Sequence, residues 1–203
     1  MSITTPTEAV NMALDHLGEA VVATPYTGNT DVASEAAVRH FANTRDTVLR
    51  DHTWAFATRI EELVASADAA DTDWTYKYDL PTGCLKVISI INALGRTAED
   101  EEFILRHTVA DDAEVLLTDT ETPTIKFMYQ EDDVALWEAN FIEAFSYRLA
   151  ANLCFPVTQN AGLKQGLLQL YQWSVNKAKQ IDSSQGRVDV MQIAHQDFIT
   201  ARD

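Results

Sequence analysis

The sequence predicts an α+β protein with a four-helix antiparallel body, a β-rich insertion in its middle and a C-terminal arm. Three observations carry this. Apolar residues recur at helical spacing towards both ends of the chain. Between those stretches, residues 74–91 alternate with a period of two, as half-buried strands do. After Gly186, the stretch RVDVMQIAHQDFITARD stays apolar although the helical stripe before it has ended. The division that follows is 1–54 with 132–186 for the helical body, 55–131 for the insertion and 187–203 for the arm.

The first helix opens at Thr5-Pro6-Thr7-Glu8, where Thr5 is the N-cap, Pro6 the first helical residue and Glu8 completes a capping box. Val10, Ala13, Leu14 and Leu17 form its stripe, and Gly18 stops it. Residues 21–29, rich in Thr, Pro and Gly, connect to a second helix. That helix starts near Thr30 or Asp31 and runs to about Asp51. Ala37, Val38, Phe41, Arg45, Val48 and Leu49 follow its period, and its alanines favour close approach of a neighbouring helix. In DHTWAFATR, residues 51–59, the period then changes from 3.6 to 2. Trp54 and Phe56 fall on one side of an extended segment, which makes them the expected structural anchor between insertion and body.

Within the insertion, Trp74, Tyr76, Tyr78 and Leu80 alternate with Thr75, Lys77 and Asp79. Pro81-Thr82-Gly83 breaks the run and 85–91 resumes it with β-branched residues. Three more short strands are expected at 103–107, 115–118 and 124–130, with solvated acidic loops at 99–102 and 111–112. Helical pattern returns near Asp132 or Asp133 and lasts to about Cys154, on Trp137, Phe141, Ala144, Phe145, Arg148 and Leu149. Phe155-Pro156-Val157-Thr158 reads as a tight connection with Thr158 as the next N-cap. The fourth helix carries Leu163, Leu167, Leu170, Ser174, Ala178 and Ile181 to about Ser183. Gly186 is its expected end. The apolar residues beyond, Val188, Val190, Met191, Ile193, Phe198 and Ile199, need a surface to lie on, which makes them the candidate contacts with a partner or a neighbouring subunit.

Charge is unevenly spread. Residues 1–133 carry 9 Lys/Arg and 25 Asp/Glu, against 6 and 6 in 134–203, so the net −16 belongs to the first two thirds. Such a surface repels phosphate and lacks the basic stripe of a DNA-gripping protein. No apolar run reaches the ~20 residues that cross a bilayer, and MSITTPTEAV has no signal-peptide pattern; cytosolic synthesis and no membrane partner are expected. Cys84 and Cys154 stand apart with no CxxC and are read as small buried hydrophobes. Phosphate-binding, nucleophile-elbow and metal-ligand motifs do not occur among the seven glycines and five histidines. His16, His40, His52, His107 and His195 are isolated, and Glu61/Glu62 and Asp111/Asp112 lack the spacing of a calcium loop. A stacking platform on Trp74, Tyr76 and Tyr78 would need basic residues beyond Lys77, so sheet packing is the better reading. Composition and spacing therefore point to a non-enzyme, with no catalytic residue, cofactor or metal.

Four stretches, in order, carry a resemblance: AVNMALDHLGEAVVATPYTG, VLRDHTWAFATR, YKYDLPTGCLKVISI, and FIEAFSYRLAANLCFPVTQNAGLKQGLLQLYQWSVNKAKQIDSSQGR. Together the chain resembles the head-to-tail adaptors of short-tailed bacteriophages, the tail tubular protein A family, with relatives in gene transfer agents. It departs after YDLP, where Thr82-Gly83 replaces an expected small residue and Asp. The resemblance implies a structural virion protein made in the host cytoplasm that forms a ring, typically of twelve subunits, below the portal protein. Such a ring completes the DNA exit channel, through which DNA passes without sequence-specific binding, and carries the tail nozzle and fibres. The alternative is a non-enzymatic soluble helical protein that binds a partner outside any virion ring.

Overall fold

The structure, a computed structural model, describes residues 3–22, 25–66, 73–91, 97–98, 101–108 and 113–200, with the backbone alone at 108, 113, 161 and 183–200. The chain forms two compact units, one of 1–52 with 133–203 and one of 53–132.

In the first unit, α1 spans Pro6–Asp15. Its capping box is formed at both ends: the Thr5 hydroxyl accepts from Glu8 N–H at 3.3 Å, and the Glu8 carboxylate accepts from Thr5 N–H at 3.0 Å. The N–H of Thr4, which donates to the same carboxylate at 2.8 Å, and then that of Thr5 hold the Glu8 carboxyl below its ordinary range. Gly18 stops the helix at φ +72°, with Gly18 N–H on Asp15 O and Glu19 N–H on Leu14 O, the paired back-bonds of a Schellman motif. Helix α2 spans Val32–Asp51 under an Asp31 cap, whose carboxylate accepts from Ser34 N–H at 2.9 Å. Helices α3 and α4 span Ala139–Thr158 and Ala161–Thr200. A 3-10 turn, Val134–Leu136, occupies the place where the sequence puts the start of α3.

An antiparallel four-helix body is the expectation that fails here. Helix α3 is a hub against which α1, α2 and α4 each pack, and the four do not enclose a common core. Two causes lie in the residues. With 10 residues against 20 in α2 and α3, α1 is too short to run alongside either. Helix α3 is apolar nearly all round, burying Phe141, Ile142, Phe145, Leu149, Leu153 and Cys154, so it accepts neighbours on several sides instead of contributing one stripe. The packing centre is aromatic. Phe41 of α2 lies 5.0 Å from Phe145 and 6.0 Å from Trp137, and Trp137 lies 4.8 Å from Phe141, between ring centroids. Thr44 and Asn152 tie α2 to α3 through a 2.9 Å side-chain bond.

Pro156 does not break α3, which runs two residues past it and ends at Gln159 in the left-handed region, φ 56°. A proline in the last turn forfeits one ladder bond, a smaller loss than in a helix interior. The cap of α4 is consequently Asn160, whose Oδ1 accepts from Gly162 N–H at 3.0 Å, and not Thr158, whose hydroxyl donates back to Cys154 O at 2.6 Å. Helix α4 also passes through Gly186, so residues 187–200 continue the helix rather than forming a separate segment after it. One interior glycine costs only about 1 kcal/mol against alanine, and it stops a helix when the chain can turn back on it as at Gly18.

The second unit holds two three-stranded antiparallel sheets. One orders β1 (Thr58–Glu62), β6 (Thr124–Tyr129) and β3 (Cys84–Ile91); the other orders β2 (Tyr76–Asp79), β5 (Ala113–Thr118) and β4 (Phe103–Thr108). One apolar cluster draws on both sheets: Tyr78, Val87, Ile90, Leu116, Ile125 and Phe127, with Leu63 beside them. The first and last strands are neighbours, with Thr58 opposite Met128, so the unit receives and returns the chain at one side of one sheet. Residues 55–57 are a 3-10 turn and not the extended segment expected for WAF. Trp54 is buried at 1% exposure, while Phe56 is half-buried.

Candidate functional site

One histidine–serine pair among the described residues has the distance of a base and a nucleophile but not the proton arrangement. His16, at the end of α1, brings Nε2 to 3.0 Å from the Ser146 hydroxyl on α3. A serine hydroxyl has one hydrogen, and that of Ser146 is donated to Glu143 O at 2.8 Å. The imidazole is therefore the donor in this pair, the opposite of a base taking a proton from a nucleophile. Ser146 is also fully buried. The ring of His16 stacks on Tyr147 at 4.4 Å, and burial holds its pKa below the usual histidine range, with Asp15 and Glu143 pulling partly the other way. The pair fastens α1 to α3.

A second polar cluster joins the end of α2 to α4. Asp51 accepts from the Tyr171 hydroxyl at 2.5 Å, Arg148 lies 5.3 Å from the Tyr171 ring centroid, and His52 Nε2 lies 2.5 Å from Asp182 Oδ2. Burial, then the bond to Asp51, drives the Tyr171 pKa far up, so its hydroxyl stays a proton donor. These contacts fasten α4 to α2 before the helix runs on past residue 182.

The other candidates occupy ordinary structural places. Tyr78 is fully buried with its hydroxyl donating to Thr120 O and Glu121 O, so its face is closed to bases. Glu61 and Glu62 end strand β1, exposed; Asp111 and Asp112 lie outside the described residues. Cys84 and Cys154 are free thiols. Among the described residues, no group of three His, Cys, Asp or Glu is placed to hold a metal ion, and no helix is long and apolar enough to cross a membrane. Val188, Val190, Met191, Ile193, Phe198 and Ile199 fall on the backbone of α4, spread over its last four turns.

The notable feature is an exposed apolar surface, two of whose members, Leu163 and Leu170, the sequence stripe placed inside. Leu163, Leu170 and Trp173 of α4 are 37%, 45% and 57% exposed, and Phe155, near the end of α3, is 63% exposed. The buried side of α4 is instead Leu167, Tyr171, Ser174, Val175 and Ala178. Lys177 stands 5.2 Å from the Trp173 ring centroid and pairs with Glu143 at 3.5 Å, while the indole stays open to solvent. On α2, Val32 and Val38 are likewise exposed, at 60% and 50%.

No protein-family model matches this chain, and a search of curated proteins gives no significant match.

Proposed function

We propose that this protein is a head-to-tail adaptor of a short-tailed phage or related particle: a ring-forming, non-enzymatic connector docked below a portal. The observation that carries the proposal is the order of the four sequence stretches, each of which falls on a discrete element or junction of the fold. The first covers most of α1 and its Gly18 turn, and the second is the junction at which α2 hands over to the β unit. The third is the β2–β3 turn, and the fourth is the α3–α4 hairpin. At about 1.5 Å per residue, α4 is ~60 Å long against ~30 Å for α3. Residues 187–200 at its far end therefore suit contact with a portal or an adjacent subunit. The acidic first two thirds of the chain suit a channel through which DNA slides, since no counterions are released on contact.

The test is to mix the purified protein with its cognate portal ring and image the product by electron microscopy. Portal rings that acquire an added layer of this protein are the expected result. Portals that remain bare at micromolar protein would refute the adaptor role. A chain lacking 187–203 that docks as well as the full chain would remove the arm from the mechanism and leave the role standing.

A further inference from the structure

We infer that the outer edge of β1 is a docking site for an extended, basic segment of another protein, which adds to the sheet as a strand beside Ile60 and Glu62. In the sheet order β1-β6-β3, β1 has a neighbour on one side alone among the described residues. Its ladder with β6 sets Glu62 opposite Thr124, and Leu63 N–H donates to Pro123 O at 2.9 Å. Bonded pairs alternate along an antiparallel ladder, so Arg59, Glu61 and Leu63 turn their backbone groups to β6. Ile60 and Glu62 turn theirs outward, and these bond to nothing among the described residues. Such an edge is a template for a further strand. Further along, the same side of the chain is taken by β2, through a bridge from Ala65 to Tyr78 and a 2.9 Å bond from Ser66 N–H to Lys77 O. Beside it lies a groove of about 370 Å³, lined by Glu61, Glu62, Val64, Asp79 and Pro81 among others.

Side chains and charge decide what that strand must be. Ile60 and Val64 are 59% and 85% exposed and fall on one face of the extended chain, with Glu62 between them. The other large exposed hydrophobic among the described residues of the β unit is Leu105, on β4, where Arg106 and His107 follow it. Glu61, Glu62 and Asp79 are exposed, and none of them is ion-paired among the described residues, even by Lys126 opposite Ile60. An added strand therefore sets apolar side chains against Ile60 and Val64 and cationic ones against the carboxylates. A second copy of β1 does not supply this. It brings the same carboxylates, and its one base, Arg59, is held 3.2 Å from the Tyr129 ring centroid and paired with Glu131 at 3.2 Å. With a net charge of −16 on this chain, the occupant of opposite sign is an extended basic segment of a different protein.

The site stands apart from the adaptor proposal, and its test needs no portal. Amide exchange in the full chain is followed by NMR, with a short peptide of alternating valine and lysine as the probe, up to about 1 mM. In the free protein the Ile60 and Glu62 amides should exchange quickly, while those of Glu61 and Leu63, bonded to β6, are slow. The peptide should slow the first two about fivefold or more at its top concentration and leave the others as they were. Replacing its lysines by glutamate, or its central valine by proline, should abolish the effect. Glu61→Lys together with Glu62→Lys should weaken binding about tenfold; both positions are exposed, and circular dichroism checks that the fold is kept. The docking site is refuted if the peptide protects neither amide, if the glutamate or proline peptide protects them equally, or if the charge-reversed variant binds like the parent. Amides already slow in the free protein would refute it too, because the edge is then covered, and by a second copy where the protection grows with protein concentration.

Discussion

Gly83→Ala should be one of the more damaging single-methyl substitutions in the β unit. Gly83 is the third residue of the turn between β2 and β3, closed by Cys84 N–H on Pro81 O at 2.9 Å, and it sits at φ +80°. A side chain there is strained by its backbone, at about 1–2 kcal/mol. The added Cβ would also stand 2.8 Å from Tyr129 Cε2. The ring cannot easily retreat: the Arg59 guanidinium lies 3.2 Å from its centroid and is itself paired with Glu131 at 3.2 Å. Forcing a methyl into such a place costs about 1–3 kcal/mol more, for a total of ~2–5 kcal/mol. Urea titration followed by circular dichroism measures the loss, and a cycle with Tyr129→Ala divides it. Without the ring, the penalty should shrink to the backbone share of about 1–2 kcal/mol. A variant within about 0.5 kcal/mol of the parent would refute the strain argument. An undiminished penalty in the Tyr129→Ala background would refute the clash.

Three further outcomes follow from the same contacts. Trp54→Ala empties a fully buried indole site and should cost about 3–5 kcal/mol, read as a lower denaturation midpoint; parental stability would refute the burial argument. Thr5→Ala removes the side-chain acceptor of the α1 cap and should cost about 1 kcal/mol, seen by thermal unfolding. His16 binds a proton less readily folded than unfolded, so the unfolded chain takes up more protons as pH falls through 6.5. Stability attributable to His16 is therefore intact above that pH and declines below it. His16→Gln, which still offers Ser146 a donor, should flatten the difference between denaturation midpoints at pH 8 and pH 5.5, and an unchanged difference would refute the burial argument.

What local spacing could show, it showed for elements that carry their own signals. The α1 cap, the Gly18 stop and the Asp31 cap are decided within a few residues, because the bonds that form them span three to five positions. Strand β1 escaped because it is an edge strand whose residues are exposed on both faces, so TRIEE has no apolar alternation to read; its pairing with β6 makes it a strand. WAF was misread because two aromatic rings two apart also suit a 3-10 turn, in which Trp54 goes inward and Phe56 only half so. The four-helix body failed for a related reason: period marks a helix, but the number of sides on which α3 is apolar decides how many neighbours it takes.

Polar fastenings and the exposed seam depend on distances no local pattern encodes. His16–Ser146 and His52–Asp182 are each separated by 130 residues, and Asp51–Tyr171 by 120. All three arise because the α3–α4 hairpin returns to the helices that begin the chain. The seam is the more instructive case. Leu163, Leu167 and Leu170 read as one stripe, yet α3 and α2 cover only the side of α4 that carries Leu167, Tyr171 and Ala178. The apolar arc of α4 is wider than the surface its own chain can bury. Sequence shows the width of such an arc, whereas the covered portion depends on how far the neighbouring helices reach. What remains is Leu163, Leu170 and Trp173, an exposed strip whose desolvation would favour association. A helix built this way has a spare side because the fold stops short of it.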